Sequence, residues 1–463
     1  MNESQFKEPA SQSATPAAIC AWWKIFVAAV AIRWSYDIAL YAFMGRDGLM
    51  VADSYGYLRD AETMAKALLT GTLHGWAWLG SDLGVMPLYP WFLTLNVALF
   101  GSLAPLTSTL MQGLIDGATC LLVFRIAQSI DPRIAWPAAI AAIINPTQII
   151  LSGMIYNDTI FLFFAAAFLA AGVAWLQQPS WPAALVIGVG LGLAALDRII
   201  VAPWAPVFGL MLLAIRFFID RLRPVHIMQI AVAGALLGAS ISPMLIRNVT
   251  QYDAWSLTPQ GGAHLALWVA PLVRQAKDGT PWAQGSAEIA KRKAEKFWTP
   301  SDNPFVDAEQ FAEIGREELA KLGYPAIAKA WIIGAAINLA TPAVIISPPV
   351  AGLPRTGFFA TPGRSIGEKI VNFLFHSDNA AYAWALLLGL MGVVGIRAIQ
   401  SAGIFTVLAE RRNWPAALVL ALWTGFILAA NGPIASPKYR LPIEPVLCVL
   451  TGAGVTLIRR RFT

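Results

Sequence analysis

Asp53 and Asp158 have the most chemistry to offer in this chain. Each lies at the edge of an apolar run, Asp53 just after the first and Asp158 at the head of a later one. A carboxylate partly withdrawn from water at such a boundary is suited to take a proton from a hydroxyl group. Four cations stand at comparable boundaries: Arg198, Arg247, Lys438 and Arg440. Guanidinium and ammonium groups so placed can grip a phosphate through charge-assisted hydrogen bonds, or snorkel to lipid headgroups. Each aspartate also has a structural alternative as an N-cap, Asp53 for a helix from Ser54 toward Leu69 and Asp158 for the span beginning at Thr159.

Membrane helices must position these groups. Of 463 residues, 57% are hydrophobic and 13% charged, and the mean hydropathy of +0.60 lies outside the soluble range. Runs of about 20 apolar residues, each able to cross a hydrocarbon core as a helix, recur along the chain. The expected fold is therefore an all-α, polytopic transmembrane bundle of about 10–12 spans. Charges, prolines and turn residues cut it into spans near 20–43, 107–128, 134–152, 158–176, 181–197, 199–217, 226–246, 380–398, 414–431 and 440–458. With residues 1–19 inside and the first span a retained signal-anchor, Arg125, Arg133, Arg216, Arg221, Arg223, Arg397, Arg411, Arg412 and Arg459 to Arg461 fall on the cytoplasmic side. Pro87 to Phe100 is too short for a normal span, and counting only one of it and Ala328 to Ile346 as a crossing would export much of the arginine, so both are expected along the interface unless the second pairs with a returning segment.

This topology translocates two sizeable loops, 44–106 and 247–327. They divide the chain into an N-terminal membrane module (1–246) that carries the first loop, a helical cap (247–327) and a C-terminal membrane module (328–463). In the cap, Ser286 to Trp298 reads as a helix, and Asp307 reads as the N-cap of another that stops at Gly323 and Pro325. Arg33 and Asp37, one turn apart in the first span, are expected to neutralise each other. Cys20, Cys120 and Cys448 lie in or beside apolar spans and read as packing groups. The net charge of +6 is scattered between spans rather than gathered in one basic domain, which argues against nucleic acid. Many of the 18 tryptophans, Trp22, Trp23, Trp136, Trp181 and Trp414 among them, flank span ends as interfacial anchors.

The order of motifs resembles the GT-C superfamily of polyprenyl-phosphate-dependent glycosyltransferases, particularly glycosyltransferase family 39 and the related protein O-mannosyl and lipid A aminoarabinose transferases. The likeness runs through Gly45-Arg46-Asp47-Gly48-Leu49-Met50-Val51-Ala52-Asp53-Ser54-Tyr55-Gly56-Tyr57-Leu58-Arg59, then Met86-Pro87-Leu88-Tyr89-Pro90-Trp91-Phe92. It continues through Ser152 to Asp158, Gly192 to Arg198, and Lys438-Tyr439-Arg440-Leu441-Pro442-Ile443-Glu444-Pro445. Family members often carry Asp-Glu where this chain has Asp53-Ser54, and a basic residue or second proline where it has Met86.

The resemblance implies a glycosyltransferase of a bacterial inner (cytoplasmic) membrane, working at the periplasmic face on a polyprenyl-phosphate-linked sugar. It makes Asp53 the general base and Asp158 a second acid that orients the acceptor or shares a divalent cation (Mg or Mn) with Asp53. Arg440, Lys438, Arg198 and Arg247 become candidates for the donor phosphate; Tyr55, Tyr57, Arg59 and His264 become candidates for the groove of a lipid, polysaccharide or protein acceptor. Two other classes fit the same outer-face charges: a transporter or flippase, disfavoured by unequal loops and the lack of repeated halves, and a glycan polymerase or ligase, which needs no first-loop acid.

Overall fold

The computed structural model describes residues 16–298, 301–354, 361–375 and 380–462, and every regular element among them is helical. Helix α1 (Pro16–Met44) leads through a short 3-10 turn into the first loop, which holds α2 (Ala52–Leu69) and α3 (Leu88–Phe100). Seven helices of the first membrane module follow: α4 (Ala104–Ile130), α5 (Pro132–Ile143), α6 (Pro146–Ser152), α7 (Asp158–Gln177), α8 (Trp181–Asp197), α9 (Val201–Ile219) and α10 (Pro224–Tyr252). The cap contains α11 (Gln260–His264), α12 (Ala270–Asp278), α13 (Trp282–Lys296) and α14 (Pro304–Leu322). Beyond it lie α15 (Tyr324–Ala340), α16 (Pro348–Ala351), α17 (Ile366–Phe375), α18 (Ala380–Ala409), α19 (Trp414–Asn431), a 3-10 turn over Pro437–Ile443, and α20 (Glu444–Phe462).

Among the described residues eight helices are long and apolar enough to cross a membrane, or ten if each of two bent pairs is one span. Every span expected from hydropathy has its helix, but the boundaries differ for physical reasons. The expected span 134–152 is broken into α5 and α6 with a 46° bend, because Pro146 cannot donate an amide to the preceding turn and Asn145 starts a new helix. Helix α18 continues to Ala409, since no proline or charge interrupts residues 398–409. Arg397 therefore lies within the bundle, where its guanidinium donates to Leu339 O, rather than at the cytoplasmic end. In the cap, Asn303 and not Asp307 caps α14, accepting from Phe305 N at 2.9 Å ahead of Pro304. Asp307 pairs instead with Lys293 of α13. The stop at Gly323, with φ of 82°, is as expected. Helix α15 leaves α14 at 103° and packs on α12 and α19.

The two ends of the bundle differ in charge. At one end Arg133 meets Asp131 and Glu410, Gln177 donates to Ser129 O, and Arg216 donates to Leu176 O. These contacts gather the ends of α4, α7, α9 and α18, where Arg221, Arg223, Arg411 and Arg412 also lie. The opposite end carries the α1–α2, α6–α7 and α8–α9 links and the Pro437–Ile443 turn.

Lipid offers little hydrophobic drive between helices, so small residues and buried polar ties hold the bundle. Helices α18 and α20 meet at Gly403 and Gly454, where a Cβ would fall 2.0 Å from Leu450 O and from Ile399 O respectively. The break between α5 and α6 frees carbonyls that water cannot reach. Arg33 supplies the donors: Nη1 to Ile143 O at 2.5 Å and Nη2 to Ala142 O at 3.0 Å. Its Nε binds Asp116 Oδ2 at 2.8 Å, and Gln148 Nε2 binds the other oxygen at 3.0 Å. The expected Arg33–Asp37 pair does not form, because the freed carbonyls and Asp116 draw the guanidinium away. Both carboxylate oxygens of Asp37 are buried without a hydrogen-bond partner among the described residues.

Replacing Asp116 by Ala strands the Arg33 charge. A loss of about 3–5 kcal/mol is expected, read as a lowered unfolding midpoint in detergent; a midpoint equal to wild type contradicts this role.

Candidate active site

Four chain segments build the site. The α1–α2 and α6–α7 links run side by side, with Ile155 N donating to Leu49 O at 2.9 Å. Ser54 Oγ accepts from Val51 N at 2.9 Å and donates to Ile155 O at 2.8 Å. Ser54 thus does the capping, and the carboxylate of Asp53, in the first turn of α2, takes no part in it. Gln112 of α4 fastens the α6–α7 link from below, donating to Ser152 O (2.9 Å) and Met154 O (2.7 Å) while accepting from Tyr89 Oη (2.9 Å). Asn157 Nδ2 donates to Asp197 O at 3.1 Å, which joins the α8–α9 link to the same assembly.

The fourth segment is the Pro437–Ile443 turn. Arg440 binds Glu444 at 2.7 Å and donates to Asn338 O, Thr341 O and Thr147 Oγ1. Glu444 is completed by Asn145 Nδ2 and Thr147 Oγ1, from the start of α6. Arg440 is thereby buried and occupied by protein groups, so the cation this turn presents to the site is Lys438, two residues earlier.

Lys438 Nζ lies 3.4 Å from Asp53 Oδ2 and 4.6 Å from the centre of the Tyr156 ring. The Asp53 side chain is 54% exposed and Lys438 19%. Behind them Arg198 Nη1 binds Asp158 Oδ1 at 2.7 Å, with Asp158 almost fully buried, and the guanidinium lies 5.6 Å from the Phe161 ring centre. Burial opposes the Arg198 charge, but Asp158, with Tyr439, Tyr57 and Asp197, more than offsets it. Burial also pushes the Tyr156 hydroxyl up to about 12, against the pull of Lys438. Tyr57 packs edge-on to Tyr89 at 5.1 Å, and burial raises its hydroxyl above the usual range despite nearby Arg198.

Of the residues marked from sequence, Asp53, Asp158, Arg198, Lys438 and Tyr57 come together. Tyr55 and Arg59 are exposed on α2, and His264 is exposed on the cap. Arg247 is buried at the outer part of α10, with Nε on Asn248 Oδ1 at 2.9 Å and Nη2 free of hydrogen bonds among the described residues. Neither aspartate serves as an N-cap. Tyr156 and Asp197 belong to the assembly but were not marked; the one visible signal was an acid closing an apolar helix directly before Arg198. Asp53 and Asp158 each already hold a cationic side chain, and no group of three His, Cys, Asp or Glu among the described residues is placed to hold a metal ion. The donor set does not fit the divalent cation considered from sequence.

No protein-family model and no curated protein sequence matches the chain. Solved structures do. The Archaeoglobus fulgidus oligosaccharyltransferase tethered with an acceptor peptide containing the NVT sequon is 14% identical, with a TM-score of 0.52, over 95% of this chain and 50% of that one. Its apo form gives 15%, 0.50, 95% and 51%. ArnT from Cupriavidus metallidurans in the apo state is 15% identical over 96% of this chain and 78% of that one, with a TM-score of 0.35. The first two likenesses show a shared fold, and the chain spans about half the length of the oligosaccharyltransferase.

Gly153 tests the packing beneath the site. A Cβ there would fall 2.6 Å from Asp37 Oδ1 and 2.9 Å from the Tyr36 ring. Gly153→Ala is expected to destabilise by about 1–3 kcal/mol, whereas Gly56→Ala, which meets nothing within 4 Å, leaves the unfolding midpoint unchanged or raises it. Equal midpoints for the two variants would exclude the proposed fit.

Proposed function

We propose that the chain is a membrane glycosyltransferase that moves a sugar from a polyprenyl-phosphate donor to a hydroxyl or phosphate on a lipid, glycan or protein. The observation that carries this reading is the pairing of an exposed acid, Asp53, with Lys438 beside the buried Asp158–Arg198 pair. All four lie at the end of the bundle opposite the basic links. The positive-inside rule makes that end the translocated face, periplasmic if the membrane is a bacterial inner one. The shared fold of the oligosaccharyltransferase agrees with a transferase.

In the proposed reaction Asp53 accepts the proton of the acceptor hydroxyl as its oxygen attacks the anomeric carbon. The bond from that carbon to the phosphate oxygen breaks, and its electron pair leaves with the phosphate. Lys438 and Arg198 meet the growing negative charge. A single displacement inverts the anomeric centre. Asp158 holds Arg198 toward the donor, and Tyr57 and Tyr156 wall the site. Arg247 is a further cation for the headgroup. The prenyl chain has an apolar place in a cavity of about 470 Å³ between α8, α9 and α10, lined by Leu191, Phe208, Leu213, Ile230 and Leu237.

Asp53→Asn is expected to lower transfer by about 10²–10⁴-fold with expression intact. The readout is intact-mass comparison of surface lipids, polysaccharide and exported proteins from cells with the gene, without it, and with the variant. One of these molecules should lose a sugar increment in the last two strains; retained polymer ligation in the variant would favour a ligase instead. Orientation has its own test. A membrane-impermeant maleimide should label Tyr55→Cys in intact cells and Arg411→Cys only after permeabilisation, and the reverse pattern would place the site on the cytoplasmic face.

A further inference from the structure

The first loop and the cap meet around a cavity of about 360 Å³ that the reaction above does not use. Ser81, Asp82 and Gly84 wall it on the loop side, and Gln260 and Ala263 of α11 with Asp307 of α14 on the cap side. The two sides touch at Gly84, where a Cβ would fall 3.2 Å from Gln260 Cγ. The volume lies in the range of small-molecule sites, about 300–1,000 Å³. Its walls are rich in acceptors. Asp82 and Asp307 contribute carboxylates, and the Ser81 hydroxyl gives its proton to Asp60 Oδ1 at 2.9 Å, so its oxygen is left to accept. Asp82 Oδ1 takes the Gly84 amide at 2.7 Å and Asp307 pairs with Lys293, which leaves each carboxylate further lone pairs. Among the described residues that line the cavity none is Lys, Arg or His; Lys438 and Arg198 serve Asp53 and Asp158 instead.

A phosphate or carboxylate would meet like charge in such a cavity, whereas the hydroxyl groups of a sugar, or an amine on it, bring the donors that the walls lack. One face of α2 joins the cavity to the base. Asp53, Gly56 and Asp60 are three and four residues apart and so share that face, with Asp60 about 10 Å beyond Asp53. Between them a Cβ on Gly56 would meet nothing within 4 Å, so the track is bare. At its far end Asp60 holds Ser81, the edge of the cavity. We propose that the cavity is a sugar subsite, taking an uncharged or amine-bearing ring of an acceptor glycan whose reacting hydroxyl lies at Asp53. The separation is longer than one ring, so the acceptor is an oligosaccharide chain. Its role as acceptor rests on the transferase reading above, but the binding of the glycan does not.

Full-length protein in detergent, probed with an array of neutral, amino-sugar-containing and uronate-containing bacterial glycans from single sugars to hexasaccharides, tests the subsite without any transfer. Neutral or amine-bearing chains should be retained by wild type and by Asp53→Asn. Ala263→Phe, which fills the cavity, should lose them. Asp82→Asn, whose amide oxygen still takes the Gly84 N–H, should bind about tenfold more weakly. Gly56→Phe, which projects into open space on the track, should weaken chains more than single sugars. These two variants carry the test if Ala263→Phe folds poorly. Wild-type retention in all three variants, a preference for uronate chains, or retention of no glycan overturns the proposal. A glycan that binds in this way and is never extended counts against the transferase reading and leaves the subsite standing. Transfer with a KM for the acceptor unchanged in all three variants removes the subsite and leaves the reading.

Discussion

A helix broken inside a membrane leaves backbone carbonyls that neither water nor lipid can satisfy, and the rest of this molecule is arranged around one such break. Between α5 and α6 the chain turns by 46°, and two buried networks converge on the turn. Arg33 and Asp116 close it from the side of α1 and α4; Glu444 and Arg440 close it from the side of α20. Helix α6 points where these networks aim it, and its end delivers the short link that carries Tyr156 and Asp158. Arg440 also anchors the turn that presents Lys438. The site is thus set by groups that do not themselves face it.

The contrast between the two kinds of ion pair follows from burial. Arg440–Glu444 is short, buried and completed by further hydrogen bonds, so it has two oxygens and a fork of donors locked in one geometry. Asp53–Lys438 is longer and half open to solvent. Such a contact contributes little to stability and exchanges partners readily. The rigid pair lies beneath and the looser one above it, at the open side of the site.

Much of this was legible in the sequence, and the misses share a cause. Hydropathy located each span, and an acid directly after or before an apolar run marked Asp53 and Asp158, because a boundary position restricts where a side chain can go. Spacing alone could not rank Lys438 against Arg440, since the 3-10 turn that turns one toward the site and the other toward Glu444 depends on α15 and α20. Local pairing of Arg33 with Asp37 lost to a long-range demand, the carbonyls at the helix break.

The two partners of the exposed pair are separated by 385 positions along the chain. During synthesis the carboxylate at 53 reaches its side of the bilayer long before the ammonium at 438 exists. The first and last parts of the sequence must both be made before this pair can form, so a partly made chain can join Asp158 to Arg198 while Asp53 still lacks Lys438. The two ends of the chain thus meet at one point, where the Pro437–Ile443 turn lies against the links made first.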